Sequence, residues 1–233
     1  MYDLPTHDQF EVLYKDSFYV AINKPPGYIV HRSSMTRNAP LVVLQLLRDQ
    51  LNQRVYPVHR LDRKTSGVLI FALAPEANKL LGQRFENHLV QKEYLAIVRG
   101  WTEDSGIIDY ELVNDSGKVQ SAQTSYETIG RFEIDLPSDK FQTSRYSEVH
   151  LFPKTGRMHQ LRKHMSHIFH PIIGDRPHGC NKQNRLWKQT YGMDTMMLHA
   201  RRLTFIHPYS NEEVVIEAPF FNEYERVKKI LES

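Results

Sequence analysis

His59-Arg-Leu-Asp-Arg-Lys-Thr-Ser-Gly67 runs directly into Val68-Leu-Ile-Phe-Ala-Leu-Ala74. The first stretch packs a histidine, Arg60, Arg63 and a single carboxylate, Asp62, into a short polar segment. From Gly67 to Ala74 the chain is small and apolar throughout and rich in Val, Leu, Ile and Phe. That run is too short to span a membrane and fits a buried strand bounded by turn residues. Asp62 therefore sits on a loop that feeds a core strand. Loops held by a rigid strand commonly present catalytic side chains. The ordinary alternative is a solvated turn with a surface ion pair.

Upstream, Phe10 to Lys24 reads as a hairpin turning at Lys15-Asp16-Ser17 and ended by Pro25-Pro26-Gly27. His31 to Asn38 reads as a loop. Pro40 opens a helix from Leu41 to Leu51, with Leu41, Leu44, Leu47 and Leu51 at core spacing. Downstream, Pro75 starts a second helix through about His88, with Leu80, Leu81 and Phe85 as its apolar face. Lys92 to Arg99 alternates as a strand, with Tyr94, Ala96 and Val98 on one face and Leu95 and Ile97 on the other. Short strands are predicted at Ile107–Tyr110, Thr124–Ile129, Arg131–Asp135 and Glu148–Phe152. Asp115–Gln120 reads as an exposed turn and Pro137–Ser144 as a polar loop. A helix is predicted over Met158–Phe169, with Leu161, Met165 and Ile168 on one face and Pro171 as its stop. Ile172–Asp175 is a turn, and Gly179–Asp194 a polar insertion facing RNA or solvent. Strands at Met196–Ile206 and Glu213–Ala218 and a helix at Tyr224–Glu232 close the chain. Periodicity alone supports a mixed α and β protein.

A length of 233 residues suits one domain with a sizeable core. One cysteine, Cys180, excludes an internal disulfide and fits a reducing compartment. Met1 to Gln9 is polar, without the apolar core of a secretion signal, and no apolar run approaches a membrane span. A soluble, cytoplasmic monomer is expected, with no membrane partner. Net charge is only +3, but its distribution is uneven. Pro153 to Leu203 holds ten Lys and Arg against two acids, Asp175 and Asp194, and six of the twelve histidines. Such one-sidedness is expected of a protein that binds a polyanion; a solvated basic face is the alternative.

The chain has no dinucleotide-binding glycine loop, no P-loop and no nucleophile elbow. His159, His164, His167 and His170 crowd one predicted helix, but no His-Glu-x-x-His or Cys-x-x-Cys accompanies them. Helix-end and phosphate-contact roles fit them better than a His-only zinc site, so no metal is expected. Three polar residues remain on otherwise core-forming elements: Asp62, Tyr94 and Arg162. Alone, each has an ordinary reading, as a surface carboxylate, a packed tyrosine or a surface arginine.

Together they resemble a family. His59 to Gly67, Lys92-Glu-Tyr-Leu-Ala-Ile-Val-Arg-Gly100 and Thr155-Gly-Arg-Met-His-Gln-Leu-Arg-Lys-His164 are similar to the signatures of the RluA-type pseudouridine synthases. Asn23-Lys-Pro-Pro-Gly27, Ala122-Gln-Thr124, Pro171-Ile-Ile-Gly-Asp175 and Leu198-His-Ala200 follow the same pattern, in family order, from about Val12 to Pro219. Val30-His-Arg32, Val98-Arg-Gly-Trp101, Arg145-Tyr146, Gln183-Asn-Arg185 and Met196-Met-Leu-His-Ala200 narrow the resemblance to a branch that acts on tRNA. The resemblance implies the pseudouridine synthase fold, an α/β (α+β) domain with a mixed, mainly antiparallel central sheet and flanking helices. It also implies one catalytic domain over the whole chain, without a separate N-terminal RNA-binding domain.

The implied reaction turns uridine in RNA into its C-linked isomer, without cofactor. By resemblance Asp62 is the essential carboxylate, acting either as nucleophile or as base. Arg162 would pair with it, stabilising the carboxylate and fixing its orientation. Tyr94 would lie against the target base. Arg60 would fill the gap left by a flipped-out nucleotide. Arg157, His159, Lys182 and Arg185 are expected to contact the RNA, mainly its phosphates. The expected target is a T-stem uridine of tRNA, uridine 65. A ribosomal RNA target is the alternative, and a non-catalytic RNA-binding module the reading from another class.

Overall fold

In chain order the protein runs β1 (Val12–Lys15), β2 (Tyr19–Lys24), α1 (Val43–Leu51), β3 (Tyr56–Pro57), β4 (Ser66–Ala72) and α2 (Pro75–Glu86). It continues with β5 (Gln91–Arg99), β6 (Ser105–Asp109), β7 (Leu112–Val113), β8 (Val119–Gln120), β9 (Gln123–Ile134), β10 (Ser144–Pro153), α3 (Gln160–His167) and α4 (Asn181–Tyr191). It closes with β11 (Leu198–Ile206), β12 (Glu213–Glu217) and α5 (Asn222–Glu232). The computed structural model describes residues 9–31, 42–138 and 141–233. Arg32, Pro40, Leu41 and most of the loop expected at His31–Asn38 lie outside them, as does part of Pro137–Ser144. The chain forms two compact units, Met1–Gln91 with Ala200–Pro219, and Lys92–His199 with Phe220–Ser233.

The first unit is built on the two most apolar strands. Every residue of β2 and β4 is buried. They pair antiparallel from Tyr19 opposite Ala72 to Lys24 opposite Gly67. Strand order is β1-β2-β4-β11, with β12 on β11 and β3 on β4. Tyr19, Ala21, Val68, Ile70, Leu203 and Phe205 share a core with Ala77 and Leu81 of α2. Burying each large aliphatic contributes roughly 1.5–3 kcal/mol. The predicted hairpin turn is held by Asp16, whose Oδ1 accepts the N–H groups of Phe18 (2.7 Å) and Tyr19 (2.6 Å). Gly67 ends the polar motif where only glycine fits. Its φ is +106°, and a Cβ there would come within 2.2 Å of the Ala200 carbonyl oxygen.

The second unit orders its strands β5-β10-β9-β6, with β7 and β8 as a separate hairpin. The alternation read along β5 feeds two cores. Leu95 and Ile97 pack with Tyr146, Trp187, Tyr224 and Val227. Ala96 and Val98 pack with Val149, Leu151, Leu161 and Met165, and Tyr94 lies against that cluster. The ladders within each unit that join β1–β2, β2–β4, β5–β10, β10–β9 and β11–β12 are antiparallel. An isolated parallel bridge joins Ile29 and Val42. The fold is thus α/β, with mixed, mainly antiparallel sheet and flanking helices.

Several expectations change. The strands expected at Thr124–Ile129 and Arg131–Asp135 are one strand, β9. Glu148 faces Gly130 and Val149 faces Thr128, so Ile129 is an extra residue in the ladder. The break in the pattern is a β-bulge rather than a strand end. The polar Gly179–Asp194 insertion is largely helix α4. Trp187 is fully buried there, its Nε1–H donating to the Tyr146 hydroxyl (2.9 Å), which donates to Gln183 Oε1 (2.7 Å). Trp187 and a satisfied glutamine are its buried anchors, with Leu186 and Tyr191 partly buried against the same core and the rest polar. Helix α3 is shorter than expected because His159 (φ 56°) and Phe169 (φ 65°) are left-handed and bound it.

Candidate active site

The residues singled out in the sequence fall in both units. Asp62 and Arg60 belong to the first; Tyr94, Arg157, His159, Arg162, Lys182 and Arg185 belong to the second.

In the first unit Asp62 is partly buried, in a turn closed by the Thr65 N–H donating to the Asp62 carbonyl (3.1 Å). The Asn23–Gly27 motif holds this turn from the side. The Gly27 N–H donates to the Arg63 carbonyl (2.7 Å), and Arg63 Nε donates back to the Gly27 carbonyl (2.9 Å). Lys24 is fully buried beneath it. Its Nζ donates to the carbonyls of Thr65 (2.7 Å), Pro25 (2.9 Å) and Arg63 (3.2 Å). Burial pushes the Lys24 ammonium down to about 7, against the opposing field of Asp62. His59 braces the other flank, accepting the Ile70 N–H (3.3 Å) and stacking on Phe85 of α2. Arg60 is exposed.

In the second unit Gln160 organises the approach to Arg162. Its Oε1 accepts from the Thr155 hydroxyl (2.6 Å) and the Arg157 N–H (3.0 Å). Its Nε2 donates to the Gln123 carbonyl and the Thr124 hydroxyl, both at 3.0 Å. The motifs around Ala122–Thr124 and Thr155–His164 thus meet at one buried amide. Arg157 Nε donates to the Ser121 carbonyl (3.0 Å). Arg162 is buried, and its Nε and Nη2 bind Asp175 Oδ2 and Oδ1, both at 2.8 Å. Tyr94 is partly buried on β5. Lys182 and Arg185 are exposed on α4.

The crowded histidines do separate jobs. His164 is buried between the Thr124 hydroxyl (3.0 Å) and the Tyr110 carbonyl (3.1 Å), and burial holds its pKa below the usual value. His167 stacks on Tyr110, and His170 bonds the Arg99 carbonyl (2.9 Å). His159 Nδ1 meets His178 Nε2 at 2.9 Å. Among the described residues no group of three His, Cys, Asp or Glu is arranged to hold a metal ion. No helix among them is long and apolar enough to cross a membrane.

Sequence reasoning assigned no role to Lys24, Asp175 or Asn184. All three stand inside quoted motifs, so the signal was present. What gives them meaning is burial and partners far along the chain.

Comparison with known proteins identifies the family and the fold. Residues 18–167 match the RNA pseudouridylate synthase family. A protein named tRNA pseudouridine synthase C from Vibrio parahaemolyticus is 42% identical over 230 residues, covering 94% of each chain. The protein of that name from Pasteurella multocida is 48% identical over 217 residues, covering 88% of this chain and 89% of its own. The solved structure of human RNA pseudouridylate synthase domain containing 4 superposes with a TM-score of 0.73 at 24% identity, over 95% of this chain and 93% of its own. Family match, long relatives and shared fold converge: the chain belongs to the RNA pseudouridylate synthases and is an isomerase of uridine in RNA.

Proposed function

We propose that the protein is a tRNA pseudouridine synthase acting on a T-stem uridine, uridine 65. The observation that carries this reading is the full-length similarity to relatives named for tRNA, at 42% and 48% identity. In this reading the two units are lobes of one catalytic domain, active as a monomer in the cytoplasm. The N1–C1′ bond of uridine breaks, the uracil turns, and C5 bonds to C1′. The C5 proton then leaves and N1 gains one, so the product is an isomer and no cofactor is consumed. Asp62 serves as nucleophile or base, on a turn stiffened from beneath by Lys24. Arg162 supplies a fixed positive charge to pair with Asp62. Tyr94 lies against the uracil, where its hydroxyl can help take the C5 proton. Entry requires flipping the nucleotide, with Arg60 filling the vacated space. Arg157, His159, Lys182 and Arg185 hold RNA phosphates, which set affinity rather than sequence choice.

Turnover on unmodified tRNA and on ribosomal RNA fragments tests the reading. One T-stem pseudouridine in tRNA is expected. Modification of ribosomal RNA alone would move the chain to the alternative target. Binding without turnover on either RNA would leave an RNA-binding module.

A further inference from the structure

The buried partner of Arg162 is a residue to which the reaction above gives no task. Asp175 is 1% exposed and takes Nε and Nη2 of Arg162 on its two oxygens, both at 2.8 Å. A guanidinium is planar and rigid. Gripping one edge fixes its plane and the direction in which the rest of the fork donates. Asp175 is itself tied down. Asn184 Nδ2 donates to the Asp175 carbonyl (2.6 Å), and the Gly174 N–H donates to Asn184 Oδ1 (2.8 Å). The His178 N–H adds a longer contact to Asp175 Oδ1 (3.4 Å). Gly174 has a φ of +80°, and a Cβ there would sit 1.9 Å from the Thr195 carbonyl oxygen, so the turn has little room to shift. Asn184 lies one turn before Trp187, which seats α4 in the core. The chain of contacts therefore runs from the core through α4 to Asn184, then to Asp175 and Arg162. A buried ion pair is a weak source of net stability compared with apolar packing, which favours a role in geometry.

We propose that Asp175, clamped by Asn184, is a positioning residue that sets the plane in which Arg162 is presented to the reacting groups. Helix α4 is then a strut for catalysis as well as a carrier of phosphate-binding cations. The inference rests on the catalytic reading of Arg162.

A double-mutant cycle between Asn184→Ala and Arg162→Lys tests it, read by single-turnover rate at saturating tRNA, RNA affinity and thermal midpoint. Asn184→Ala removes the clamp without touching a charge. It should lower the rate about tenfold and leave affinity within about twofold, since small misplacements act on chemistry. Placed on Arg162→Lys, whose fork geometry is already lost, it should lower the rate less than about twofold. Asp175→Asn should behave as Asn184→Ala with a larger loss, about 30-fold. If that variant does not fold, the Asn184 cycle decides alone. Equal losses from Asn184→Ala in both backgrounds, or no loss in the native one, would overturn the proposal. A near-normal rate for Arg162→Lys itself would instead overturn the catalytic reading of Arg162.

Discussion

Each unit buries a cation, Lys24 beneath the Asp62 turn in the first and Arg162 in the second, and the two are stabilised in different ways. In the first unit the Lys24 ammonium is surrounded by the carbonyls of Pro25, Arg63 and Thr65. Burial outweighs these dipoles and the field of Asp62, so its pKa falls to about 7. In the second unit Arg162 meets a full carboxylate, Asp175, in a two-pronged pair. A guanidinium does not deprotonate in proteins, so that pair keeps its charge on the Arg162 side. One unit thus holds the Asp62 turn with a titratable cation, and the other carries a permanent one on α3. In the proposed reaction this difference gives Lys24 the architecture of the Asp62 turn and Arg162 a charge used in the chemistry.

The largest expected effect separates Asp62 from the lysine beneath it. Asp62→Asn keeps size and loses charge, and should lower turnover by about 10³-fold or more while RNA binding persists. Near-normal turnover would remove Asp62 from the chemistry and leave both buried cations without a catalytic partner. Tyr94→Phe comes next, at about tenfold to 100-fold, within the range of a lost general acid–base group. The loss should fall after glycosidic cleavage, with affinity unchanged. A silent Tyr94→Phe would reduce its role to stacking.

The third prediction concerns stability. An unfolded Lys24 titrates near 10.5 and the folded one near 7, so between those values the unfolded chain holds more protons. This linkage makes the folded state more stable as pH rises from about 7 towards 10. Its contribution is up to about 1.4 kcal/mol per pH unit. Urea unfolding of wild type and Lys24→Met should show a stability gap that widens in favour of wild type over that range. A gap independent of pH would place the Lys24 amine in a better-solvated site and erase the contrast with Arg162.

The smallest effect belongs to the exposed cations. Lys182→Ala with Arg185→Ala should weaken RNA binding several-fold, equally for cognate and non-cognate RNA. The slope of log affinity against log salt should become shallower by up to about 0.9 per lost duplex phosphate contact. Unchanged affinity and slope would return these residues to a solvated face, leaving α4 as a strut alone.

What could be read from the sequence follows from the range of the interactions involved. The apolar run of β4 and the alternation of β5 are local patterns, and both strands formed where they were expected. The polar loop before β4 and the helix carrying Arg162 were legible for the same reason. Helix α4 was not, because a single tryptophan and a glutamine bonded to Tyr146 make its buried face, leaving too few apolar residues to show a period. Residue Ile129 escaped notice as a bulge because only its cross-strand partners, Glu148 and Val149, reveal the extra residue. Lys24 finds Arg63 and Thr65 about forty residues later, and Asp175 depends on Arg162 and Asn184 from two different helices. Motif spacing marks such positions, but their tasks are fixed by which groups the fold leaves buried together.

The measurement that tests the central claim most directly is a pseudouridine map of total tRNA and ribosomal RNA. It would compare cells that carry the gene, lack it, or lack it and express Asp62→Asn. A T-stem pseudouridine that disappears on deletion, returns with the wild-type gene and stays absent with Asp62→Asn is the expected result. A T-stem signal that persists without the gene, or returns with Asp62→Asn, would contradict it.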